Sequence, residues 1–208
     1  MTSFILRAFL TLFVVLDPIG LVPIFITLAG EYPPKVQIRI IRQAILVAGG
    51  ILFIFALFGN QVLRYLGISI EAFQVAAGIL LLKIAVDMVF AQHQRETKAE
   101  ESEAQTRTDI SVFPLGTPLI AGPGALASIL VLQGEAGIYS FGTGIVLGIT
   151  MVVLLLLYTS LAIAQTLTRW LGQTGINVIS RVLGILLAAL AVEYVSDGIL
   201  ALIKKTLL

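Results

Sequence analysis

The sequence predicts an all-α membrane protein: six transmembrane helices as two inverted three-helix repeats, with helices 1 and 4 broken at mid-membrane. Three observations lead there. The 208 residues are 58% hydrophobic and only 12% charged, with a mean hydropathy of +1.04, whereas a soluble domain carries about 25% charge. Six apolar segments follow one another, each long enough for a crossing of roughly 20 residues at 1.5 Å rise. The two halves of the chain also resemble each other at proline, glycine and charged positions.

The apolar segments fall at 4–29, 43–66, 70–91, 111–132, 140–166 and 178–203. The first is too long for a signal peptide's apolar region and lacks an A-x-A cleavage pattern, so it is expected to be retained as a span. Residues 92–109 form the one long polar stretch and hold eight of the 25 charges. That stretch has no apolar side chain larger than Ala and Thr to bury and reads as a solvated linker. The chain is thus one transmembrane domain, with a first repeat over 1–91, the linker, and a second repeat over 110–208.

Orientation follows from the basic residues near the span ends. Lys35, Arg39, Arg42, Arg95, Lys98, Arg107, Arg169 and Arg181 lie on the side of the linker, against Arg7, Arg64, Lys204 and Lys205 on the other. The linker is therefore expected in the cytoplasm and both termini outside, in a multi-pass protein of the cell inner membrane.

The repeat is visible directly. Gly78–Val89 set on Gly184–Val195 is identical at seven of twelve positions, and Asp87 falls on Glu193. Arg64-Tyr65-Leu66-Gly67 falls on Arg169-Trp170-Leu171-Gly172, and Asp17-Pro18-Ile19-Gly20 on Gly122-Pro123-Gly124-Ala125, in the same order along the chain. Each half holds three spans, an odd number, so the second half enters the bilayer from the opposite side. That is the inverted-topology repeat common among transporters.

The aligned prolines carry the functional signal. Asp17-Pro18 sits about 20 Å into the first span, and Ala121-Gly122-Pro123-Gly124 roughly 17 Å into the fourth. Proline removes a backbone donor and glycine lets the chain leave helical geometry. Irregular backbone at that depth is tolerated where protein or a water-filled cavity satisfies it. Asp17 followed by Pro18 reads as an N-cap with proline at the first helical position. Gly122 offers no capping side chain, so the N–H groups of Gly124, Ala125 and Leu126 are expected to stand open at a positive helix end, a seat for a small carboxylate. Asp17 and the carbonyls freed at the facing break suit an ammonium group. A small zwitterionic amino acid between the breaks is the expected partner, with Asp17, Pro18, Ile19, Gly20, Ala121, Gly122, Pro123, Gly124, Ala125 and Ser128 as the binding set.

These residues resemble a known family. Asp17-Pro18-Ile19-Gly20-Leu21-Val22-Pro23-Ile24-Phe25 and Pro118-Leu119-Ile120-Ala121-Gly122-Pro123-Gly124-Ala125 look like the paired signatures of the MarC family. Arg181-Val182-Leu183-Gly184 and Asp197-Gly198 match its last helix. The resemblance covers essentially the whole chain and implies a six-helix inner-membrane protein. It also implies transport of glycine and other small neutral amino acids, the activity described for the family's SnatA-like members. The chain departs from the family's usual pattern at Leu21, where Asn is common, at Lys83, where an apolar residue is usual, and at Glu193, where Gln is common.

Other intramembrane polar residues bear on coupling. Lys83 and Asp87 are one turn apart and are expected to pair. Asp17, Asp87 and Glu193 are the candidates for carrying a coupling proton. Ser128, Gln74 and Asn177 are expected to bridge helices or line a cavity, and Gly144-x-x-x-Gly148 to pack a helix closely within the bundle.

The composition argues against other classes. A net charge of +1 suggests no nucleic-acid partner, and the absence of Cys removes thiol chemistry and thiolate metal sites. The single His, His93, lies in the linker, and no nucleophile–base motif, metal cluster or cofactor motif accompanies it. An enzyme is not expected, and neither a cofactor nor a metal. With no nucleotide-binding motif, a secondary transporter with alternating access is the expected function; a channel and a non-transporting scaffold are the alternatives. The expected partners are the amino acid and membrane lipid.

Overall fold

The computed structural model describes residues 1–90, 110–137 and 141–207, so the linker with His93 lies outside the described residues. Eight helices are described: α1 Thr2–Leu16, α2 Leu21–Ala29, α3 Pro34–Tyr65, α4 Ile70–Val89, α5 Ser111–Ile120, α6 Pro123–Ala136, α7 Gly142–Ala162 and α8 Ala164–Leu207. α1 with α2 makes one span of 28 residues; α3, α4, α7 and α8 make one each. α5 and α6 are bent by 51° at their junction; counted as one broken span, the pair raises the candidate spans from five to six.

Two spans are longer than their apolar segments suggest. α3 starts at Pro34, which supplies a fixed φ at the first helical position. Lys35, Arg39 and Arg42, expected in a loop, therefore ride on a helix that continues past the apolar core. α8 likewise begins at Ala164, with the interruption at Gly172 (φ 64°, ψ 170°). The expected loop around Arg169 is thus helical up to that glycine. Gly67, the repeat partner of Gly172, also has a left-handed φ of 69°. Tyr65 and Trp170, matched in the same block, are both strongly exposed.

The most intimate packing joins α4 to α8. Ala77, Gly78, Leu81, Ala85 and Met88 are buried on one, Gly184, Leu187, Ala191 and Tyr194 on the other. Small residues permit this closeness where lipid gives no hydrophobic drive between helices. A Cβ on Gly78 would lie 2.7 Å from the Ala191 carbonyl oxygen and 2.9 Å from the Val195 nitrogen. One on Gly184 would lie 3.1 Å from the Ala85 carbonyl oxygen and 3.1 Å from Val89 Cγ2. Gly198 meets Glu71 and Val75. Rising numbers on α8 meet falling numbers on α4, so the two helices are antiparallel.

Gly144 and Gly148 behave otherwise. A Cβ on either meets nothing within 4 Å. The motif expected to pack inside the bundle instead leaves its glycine surface open, and Gly148 borders an apolar groove with Leu6 and Phe9 of α1.

Candidate functional site

The first break is built by Asp17. Its N–H still donates to the Phe13 carbonyl at 3.1 Å, closing α1, but its backbone turns left-handed at φ 39°. Aspartate is among the few L-residues that tolerate this region. The Oδ1 carboxylate oxygen then accepts the Gly20 N–H at 2.9 Å, while the Leu21 N–H donates to the Asp17 carbonyl at 3.1 Å. Asp17 thus ends the first half-helix and its carboxylate holds the turn that follows, but α2 begins only at Leu21 with Gly20 as an N-cap that has no side-chain bond, so the expected N-cap at Asp17 with Pro18 at the first helical position is not formed. A Cβ on Gly20 would collide with the Asp17 carboxylate and lie 2.8 Å from Ser180 Oγ of α8. The capped turn therefore leaves room for no side chain at Gly20.

The second break is more irregular than the sequence suggests. Within α5, Phe113 (φ −134°, ψ 129°) and Thr117 (φ −144°, ψ 125°) are extended. Each precedes a proline, whose ring disfavours helical geometry in the residue before it. The turns between them are wide: the Leu115 N–H reaches the Ile110 carbonyl at 3.4 Å, and the Ala121 N–H the Gly116 carbonyl at 3.0 Å. Gly122 is the extended N-cap of α6 (φ −84°, ψ 173°), with no side-chain cap. The Leu126 N–H, expected to stand open, donates to the Gly122 carbonyl at 3.0 Å. The uncapped positive end consists of Gly124 and Ala125, since Pro123 has no N–H.

The two breaks are neighbours. A Cβ on Gly124 would lie 3.6 Å from Val15 Cγ1, one turn of chain before Pro18, and 2.5 Å from Ile84 Cδ1 of α4. Leu16, Leu21, Ile120, Ala121 and Ala125 share one buried apolar cluster. Of the expected binding set, Pro18, Ala121, Gly124, Ala125 and Ser128 are buried, Asp17, Ile19, Gly20 and Gly122 half-buried, and Pro123 exposed. Ser128 Oγ is buried without a hydrogen-bond partner.

The candidate coupling acids separate. Asp87 is half-buried and pairs with Lys83 at 3.6 Å, as its spacing predicts. Glu193 is exposed on α8, turned away from the α4 interface that its neighbours Ala191 and Tyr194 occupy. The aligned acids therefore have unlike surroundings. One ion pair escaped the sequence reading, which used Arg7 for orientation alone and Glu135 not at all: Arg7 Nη2 of α1 lies 2.9 Å from Glu135 Oε2 of α6. The signal available was that each is an ionic residue near the end of an apolar span.

The family model described as MarC family integral membrane protein matches residues 2–203. A UPF0056 membrane protein of Methanocaldococcus jannaschii is 38% identical over 198 residues, covering 95% of this chain and 96% of its own. The UPF0056 membrane protein YhcE of Escherichia coli is 36% identical over 195 residues, covering 93% of this chain and 90% of its own. YvbG of Bacillus subtilis, another UPF0056 membrane protein, is 36% identical over 203 residues, covering 96% and 95%. No solved structure matches the chain.

Proposed function

The chain belongs to the MarC family of integral membrane proteins, and on that premise we propose that it is a secondary transporter of small neutral amino acids, glycine or alanine above all. The observation that carries this reading is the adjacency of two broken spans with unlike ends. The Gly124 and Ala125 N–H groups, at the positive end of α6, are suited to a carboxylate. Asp17 and the carbonyls of the irregular α5 turns are suited to an ammonium group. Backbone ligands require close approach, which favours a substrate with a small side chain.

Alternating access needs two halves that can rock, and the inverted repeat supplies them in this reading. Its support is the reciprocity at α4 and α8. The alignment that sets Gly78 on Gly184 also sets Ala85 on Ala191 and Val89 on Val195. Each glycine faces the partners' counterparts, on helices that run antiparallel. A two-fold axis in the membrane plane generates such a pattern. Aligned Gly67 and Gly172, both left-handed, agree with it.

Protein reconstituted into liposomes preloaded with glycine is expected to accumulate labelled glycine by counterflow, which neither a channel nor a scaffold does. Folded protein with no counterflow for any small neutral amino acid rules the substrate class out.

The protein sits in the inner membrane in this reading, with the linker cytoplasmic and both termini outside. The chain has no Cys, so single cysteines report topology cleanly. An impermeant thiol reagent applied to intact cells is expected to label a cysteine placed at Thr2 and to spare one placed at Ser102. The opposite pattern reverses the orientation.

A further inference from the structure

Three helices converge at the end of the bundle that carries the start of α1 and the last turns of α8. Each presents a charged residue at that end and a hydroxyl deeper on the same face. On α1 they are Arg7 and Thr11, four apart; on α8, Asp197 and Tyr194, three apart; on α6, Glu135 and Ser128, two turns apart. Thr11 and Ser128 are 0% exposed and Tyr194 1%. The Ser128 hydroxyl has no hydrogen-bond partner, and the Tyr194 and Thr11 hydroxyls lie beside each other with no well-formed partner besides. Gln133 adds an unpartnered amide nitrogen, its oxygen accepting from the Thr143 hydroxyl at 3.1 Å.

Such groups are costly as mere packing, because a buried polar group left unpaired gives up its hydration and gains no protein partner in return. Ser128 is one turn from Gly124, and Thr11 is under two turns from Asp17, so along α6 and α1 the hydroxyls stand between the charged end and the two breaks. Glu135 and Arg7 pair at that end and tie the first half of the chain to the second.

The two partners are unequal. The Arg7 side chain is 45% exposed and that of Glu135 22%. The charges acting on Glu135 are Arg7 from α1 and Asp197 from α8; among the described residues, α3, α4 and α7 add none. Glu71 of α4 is engaged with Lys205 at 3.6 Å. If Glu135 takes a proton it becomes neutral in its partly buried place, and Arg7 can return its charge to water.

We infer that Glu135 is the proton-carrying acid of this chain, exchanging its proton for Arg7 as the mouth between α1, α6 and α8 closes. Closed, the carboxylate holds the guanidinium; on opening, one proton from the aqueous side binds the carboxylate and the guanidinium is released. The step is a proton transfer and needs no other reactant. It rests on the transport reading for its purpose, and its gating half can be tested without a substrate.

A cysteine at Thr11, labelled by an impermeant maleimide and normalised to one at the exposed Tyr65, reports opening. Its relative labelling is expected to rise about tenfold for each unit by which the pH falls while Glu135 takes up its proton. It should be independent of pH in Glu135→Gln and pH-dependent again in Glu135→Asp. Arg7→Gln breaks the same pair from its exposed side and is expected to leave Thr11 accessible at every pH. In liposomes, Glu135→Gln should lose glycine accumulation driven by a proton gradient yet keep counterflow. A wild-type labelling profile in Glu135→Gln, or its unchanged proton-driven accumulation, overturns the inference. Absent counterflow in the wild type instead refutes the transport reading, and the labelling profiles still decide the gate.

Discussion

Gly78→Ala and Gly184→Ala are each expected to lower the protein's thermal stability in detergent, by about 1–3 kcal/mol, the usual cost of overpacking a tight contact. The new methyl groups meet backbone. At Gly78 they face the Ala191 carbonyl and the Val195 nitrogen; at Gly184, the Ala85 carbonyl. Backbone atoms in a continuous helix cannot swing aside as a side-chain tip can, so α4 and α8 must part. Leucine at either position is expected to yield no folded protein. Gly144→Ala and Gly148→Ala serve as controls, because an added Cβ there meets open space. They should leave stability unchanged or raise it through helix propensity, worth up to about 1 kcal/mol. Comparable losses at Gly78 and Gly184 are the further expectation of the two-fold reading. Equal melting temperatures for Gly78→Ala and Gly144→Ala would show that the α4–α8 contact is not what holds the bundle.

The contrast between these glycine pairs shows which features the sequence carries. Spans and breaks were legible because their causes are local. An apolar run of bilayer length is a property of consecutive residues, and Pro18, Pro114, Pro118 and Pro123 each act on their own turn or the residue before it. The left-handed Asp17 was legible in part: a break at this position follows from Asp-Pro, while its φ of 39° and the start of α2 only at Leu21 do not. Helix ends were poorly legible, since α3 and α8 continue through charged residues once outside the apolar core. Contacts between distant elements were hidden. Gly144-x-x-x-Gly148 and Gly78 look alike as letters, yet only Gly78 faces a neighbouring helix in the chain. Asp87 and Glu193 align, yet one pairs with Lys83 and the other is exposed. Arg7 and Glu135 meet only because α1 packs on α6.

Asp17→Asn is expected to abolish most glycine transport while leaving the fold intact, and the comparison with Asp17→Ala separates the residue's two roles. Asn caps helices about as well as Asp and also tolerates the left-handed region, so the Gly20 N–H keeps its acceptor. What Asn lacks is the charge. A hydrogen bond to a charged group is worth about 1.5–3 kcal/mol, or roughly tenfold to a hundredfold in binding at 1.4 kcal/mol per decade. Glycine counterflow by Asp17→Asn should weaken by that factor at limiting substrate, with an unchanged melting temperature. Asp17→Ala removes the cap as well, at about 0.5–2 kcal/mol, and holds a methyl side chain at positive φ, so stability and transport should fall together. Gly122→Leu is also expected to stop transport but is less informative, because its Cβ would strike the Pro118 carbonyl and displace the α5 turn. If Asp17→Asn transports glycine like the wild type, Asp17 is a cap alone, and the ammonium group must find its partner among the carbonyls freed by Pro114 and Pro118.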